Sequence, residues 1–80
     1  MENKIGVLAI IIEDFNQVEK VNELLHSTRD YIIGRLGVPY KERGVSVISI
    51  VIDAPNEVVN ALSGKLGMLK GVSSKVLITK

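Results

Sequence analysis

Residues Lys4 to Ile12 read KIGVLAIII, an apolar stretch beyond Lys4 in which β-branched side chains predominate. The run is far too short to cross a membrane, which takes about 20 apolar residues. It is also too continuous for a strand with one wet face, where apolar and polar residues alternate. The run therefore predicts a strand covered on both faces. A chain of 80 residues builds one modest core, and small domains are commonly stabilised by disulfides, a metal or association. The chain contains no cysteine. That excludes disulfides, zinc–thiolate and iron–sulfur ligation and cysteine nucleophiles, and points to association.

The rest of the chain supplies the remaining elements. Glu13-Asp14-Phe15-Asn16 ends the run, and Asn16 with Glu19, or Asp14 with Gln17, has the spacing of a capping box. Val18, Val21, Leu24 and Leu25 then recur at helical spacing, with Gln17, Glu19, Lys20 and Glu23 on the polar side, and His26-Ser27-Thr28 closes the helix. Tyr31 to Val38 reads as a second strand, in which Gly34 and Gly37 mark a bulge or a close backbone approach. Pro39 to Gly44 is a hairpin turn. Val45 to Ile52 (VSVISIVI) is a third strand. Asp53-Ala54-Pro55-Asn56 opens a second helix, with Pro in the first turn and Asp or Asn as cap. Its apolar stripe is Val58, Ala61, Leu62 and Leu66, and Gly67 stops it. Ser74 to Thr79 is a fourth strand.

The order β-α-β-β-α-β predicts an α+β, ferredoxin-like sandwich over residues 1–80: a four-stranded antiparallel sheet with two helices on one face. Three loops then gather at one edge of the sheet: Glu13 to Asn16, Pro39 to Gly44 and Gly67 to Gly71. The helices leave the other sheet face bare, yet neither apolar strand alternates. In the third strand Val45, Val47 and Val51 oppose Ile48, Ile50 and Ile52. A bare aliphatic sheet of this kind marks an interface. We therefore expect a homo-oligomer, dimer or tetramer, with Val7, Ala9, Val47 and Ile48 as interface candidates. Val47 and Ile48 sit on opposite faces, so only one of them belongs to the bare side.

Charge narrows the partners. Ten basic residues are set against nine acidic ones, for a net charge of +1, without the basic patch of a duplex-DNA binder. The strand positions carry Val and Ile rather than the aromatic residues on which RNA-binding sheets of this topology stack bases. Neither direct nucleic-acid binding nor a membrane span is expected. With no signal-peptide pattern, the default location is the cytoplasm.

The polar residues suggest a ligand site more than a catalytic one. His26 is the one histidine, and no nucleophile–base–orienter set accompanies it. His26 with Asp30, Glu23 or Asp53 lacks metal-ligand spacing, so neither metal nor cofactor is expected, and the chain does not read as an enzyme. At the loop edge Asp14 and Asn16 offer polar orientation, and Arg35 and Arg43 offer donors to an anionic group on a small effector. The plainer alternative makes Asp14 or Asn16 a helix cap, with Glu13 and Asp14 pairing weakly in solvent with Lys41 and Arg43.

Residues Ile33 to Ser49 (IGRLGVPYKERGVSVIS) and Asn60 to Gly67 (NALSGKLG) resemble a family of small stand-alone ACT-like proteins assigned a regulatory role in the iron-only hydrogenase system. RLGVPYKERG carries most of the likeness, because neither patterning nor propensity requires that string. The resemblance implies an ACT-type ferredoxin-like fold, self-association and regulation rather than catalysis. Any effect on transcription then falls to a further protein. The layout is also similar to the C-terminal domain of the nickel-responsive regulator, whose Cys and multiple His ligands are absent here. Amino-acid-binding ACT domains place glycine at the first strand–helix turn, where this chain has Asp14-Phe15-Asn16.

Overall fold

The structure, a computed structural model, describes residues 2–79. Strand β1 spans Asn3–Ile12, helix α1 Val18–Ser27, β2 Ile32–Tyr40, β3 Val45–Pro55, α2 Asn56–Gly67 and β4 Val72–Ile78. The sheet order is β2-β3-β1-β4 and every neighbouring pair is antiparallel. This is the ferredoxin-like βαββαβ layout expected from the sequence.

Alternation of side chains along a strand decides what each face meets. On β1 and β3 the even-numbered residues turn toward the helices, and Leu8, Ile10, Ile12, Ile50, Ile52 and Ala54 are fully buried there. Val21 and Leu25 of α1 and Val59, Leu62 and Leu66 of α2 close over them. Among the described residues no polar or charged residue belongs to the buried core, which is built of aliphatic side chains. The odd-numbered side of β1 is different. Ile5, Val7 and Ile11 remain 40–43% exposed, so the chain covers only one of the two β1 faces that the run demands.

Several boundaries differ from the expected ones. Strand β3 continues past Ile52 because Asp53, Ala54 and Pro55 find partners in Ile5, Lys4 and Asn3. Helix α2 therefore starts only at Asn56, with Pro55 as a cap that makes no side-chain hydrogen bond, and Asp53 is a strand residue. Its buried stripe is Val59, Leu62 and Leu66, while Val58 is half-buried at the rim and Ala61 is exposed. The capping box does not form at α1. Asp14 instead heads a 3-10 turn, Phe15–Gln17, by accepting at Oδ1 from the Asn16 N–H at 3.0 Å. Tyr31 belongs to another such turn, and β2 starts one residue later. Ile33 is left unpaired between Ile32 and Gly34, at the bulge that the strand glycines suggested. Gly44, at φ 68°, closes the β2–β3 turn in the left-handed region that favours glycine.

Candidate functional site

The three loops do converge. The Glu13 N–H donates to the Gly71 carbonyl at 2.7 Å, tying the β1–α1 loop to the α2–β4 loop. On the other side of the β1–α1 loop, Phe15 and Val18 share a small hollow of about 210 Å³ with Pro39, Lys41 and Ser46 of the β2–β3 hairpin. The edge is thus closed by backbone and apolar contact. Asp14 spends a carboxylate oxygen on its local turn, and Asn16 contributes its backbone N–H to that turn.

Arg35 is not part of that edge. It sits midway along the edge strand β2, paired with Ile50 of β3, roughly 16 Å from Tyr40 at about 3.3 Å per residue. Arg43 lies in the hairpin turn, so the structure does not bring the two guanidinium groups together. Pairing with Ile50 instead sends Arg35 to the helix-covered side, where its Nη2 donates to Oδ1 of Asn22 on α1 at 2.6 Å. Arg35, Asn22, His26 and Arg29 there line an open groove of about 400 Å³, floored by Leu25 and Ile32. Arg29 Nη1 donates to the His26 carbonyl at 3.1 Å, which fixes the second guanidinium at the groove wall. None of the lining side chains is acidic. Two forked cations, an amide and an imidazole suit a carboxylate or phosphate group.

Sequence reasoning picks out Arg35 but misses its neighbours. Asn22 and His26 do carry a signal, since a spacing of four puts them on one stripe of α1, while Arg29 follows in the separate 3-10 turn Arg29–Tyr31. Their use is set by which helix edge overhangs β2. The metal sets considered from sequence fare differently. Asp53 projects from the sheet face away from α1, so it is remote from His26. Among the described residues no group of three or more His, Cys, Asp or Glu is placed to hold a metal ion.

The bare face of the sheet is the second candidate. Val7, Ala9 and Val47 lie on it with Ile5, Ile11, Leu36, Val38, Val51 and Leu77, whereas Ile48 points the other way and is only 5% exposed. Ile48 is therefore a core residue and drops out of the interface candidates. The small side chains of Ala9 and Ser49 share a row across β1 and β3.

Comparison with known proteins settles the lineage. A family model described as "TM1266-like: Iron-only hydrogenase system regulator, putative" matches residues 4–76. The chain belongs to this TM1266-like family. The family is described by a regulatory role and not by a catalytic one. Among solved structures the chain is similar to the uncharacterized protein TM1266 from Thermotoga maritima. Identity is 35% over 99% of this chain and 100% of that one, with a TM-score of 0.93. It is also similar to part of a formyltetrahydrofolate deformylase from Pseudomonas putida KT2440, at 13% identity and a TM-score of 0.66. That match covers 91% of this chain and 28% of the deformylase, and shows a shared fold. No curated protein matches. No helix of the described residues is long and apolar enough to cross a membrane.

Proposed function

We propose that this TM1266-like chain is a regulatory module that works as a homo-oligomer, closed over the bare sheet face, and that it takes a small anionic effector in the groove between α1 and β2. The observation that carries the reading is the aliphatic sheet face. Leu36 and Leu77 are 64% and 76% exposed, and they extend the half-exposed Ile5, Val7, Ile11, Val38 and Val47 across all four strands. Contiguous apolar surface of this kind marks an interaction site in a water-soluble chain.

Strand β2 connects the two features. Arg35 and Leu36 are adjacent, so one projects into the groove and the other onto the bare face. An anion that draws Arg35 and Arg29 together shifts the edge strand that also carries Leu36 and Val38. Binding and association are then linked, and each changes the other by the same factor.

Light scattering over a dilution series, repeated in excess inorganic phosphate, tests this. The expected result is a dimer or larger species whose dissociation constant changes with phosphate. A monomer at high micromolar concentration, with and without phosphate, overturns it. The Arg35–Asn22 hydrogen bond also favours a second reading, in which the groove is only a structural clasp between α1 and β2 and the module assembles without a ligand.

A further inference from the structure

Two charged side chains stand among the strand residues of the bare face: Asp53 on β3 and Lys75 on β4. Their placement is tied to Val7. On one side Val7 pairs with Val51, and Asp53 lies two residues further along β3, opposite Ile5. On the other side Val7 pairs with Leu77, and Lys75 lies two residues away along β4, opposite Ala9. These steps run in opposite directions along β1. The two charges therefore occupy diagonally opposite corners of an apolar patch centred on Val7. They are roughly 16 Å apart, from a strand spacing of about 4.8 Å and a rise of about 3.3 Å per residue.

We propose that this patch docks a second copy of the same chain face to face about a two-fold axis passing over Val7, with Lys75 of each copy paired with Asp53 of the other. The inference deepens the self-association reading above and rests on it. A patch with one positive and one negative corner complements itself. The axis that exchanges the corners gives two identical ion pairs at the rim and sets Val7 against Val7 in the middle. Ile5, Ala9, Val51 and Leu77 enclose the contact between those pairs. An axis that sets Lys75 over Lys75, or Asp53 over Asp53, is opposed by like charge. The strands of the two copies then cross at a steep angle, as in orthogonal sheet packing. Asp53 is already half-buried in the isolated chain, while Lys75 is exposed, so the lysine is free to reach across. A foreign protein has no need of this particular symmetry.

The test is a charge exchange. Lys75→Asp and Asp53→Lys, alone and together, are compared with the parent chain by sedimentation at low salt, with far-UV circular dichroism to verify the fold. Each single change should weaken association by about tenfold or more, because it sets like charges at both rims. The double change should restore association to near the parent level. Should lysine at half-buried position 53 unfold the chain, Asp53→Asn replaces it and should weaken association while reducing its dependence on salt. If the parent associates but the double variant is no tighter than the weaker single one, the two-fold pairing is wrong and the self-association reading stands. Singles that associate like the parent overturn the pairing in the same way. A parent that stays monomeric overturns both.

Discussion

Gly71 lies so close to Asp14 that a Cβ built on it would come within 2.8 Å of the Asp14 Cβ. The same glycine holds φ at +79° and accepts the Glu13 N–H that ties two loops together. Gly44 also has a positive φ, +68°, but faces open space. The two glycines separate conformational strain from steric clash. Gly44→Ala should cost about 1 kcal/mol, the left-handed penalty alone. Gly71→Ala adds an overpacking cost of about 1–3 kcal/mol. Urea melts of the two variants check this, and equal midpoints would mean that the loop junction yields freely.

Neighbouring positions on β3 face opposite fates. Val47 is 38% exposed on the bare face, and Ile48 is 5% exposed beneath the helices. An aspartate at Ile48 enters an aliphatic core without a partner, so Ile48→Asp should cost more than about 4 kcal/mol and leave little folded protein. Val47→Asp should keep the native circular dichroism, and Val7→Asp, on the same face but at the centre of the proposed contact, should keep it too and lose association. A folded Val7→Asp variant with unchanged association would remove the bare face from the interface.

The element order is legible in the sequence because burial periodicity is a local signal. The continuous β1 run, the two amphipathic segments and the three further apolar stretches between and after them mark six elements in order. Boundaries depend on distant partners. Pro55 reads as a helix opener until Asn3 is seen to pair with it across the sheet. Asp14 and Gln17 have capping-box spacing, yet Asp14 bonds to the Asn16 N–H and Gln17 Oε1 is buried without a partner. The candidate groove is half legible. Arg35 stands out between glycines, but only the docking of α1 and of the 3-10 turn after it brings Asn22, His26 and Arg29 to it.

Folding should not depend on a bound metal. The chain has no thiol and a single imidazole, which is a poor donor set for a tightly held transition metal. Dialysis against a chelator should leave both the melting temperature and the sedimentation profile unchanged. A fall of several degrees would show that metal binding contributes to folding.

The groove and the loop edge make opposite forecasts for Arg35 and Arg43. Arg35 is held by Asn22 beside Arg29 and His26, whereas Arg43 stands apart in the β2–β3 turn. A hydrogen bond to a charged group contributes about 1.5–3 kcal/mol. Arg35→Ala or Arg29→Ala should therefore weaken binding of inorganic phosphate by roughly 10- to 100-fold. Arg43→Ala should bind like the parent. Asn22→Ala is the control for the clasp reading. If Asn22 only orients Arg35 toward a ligand, its loss should weaken phosphate binding and barely change the melting temperature of the unliganded chain. If the clasp is what matters, Asn22→Ala and Arg35→Ala should lower that melting temperature equally. Phosphate would then stabilise neither the parent nor the variants. Isothermal titration paired with melting curves separates the two, and phosphate binding lost only in Arg43→Ala would return the site to the loop edge.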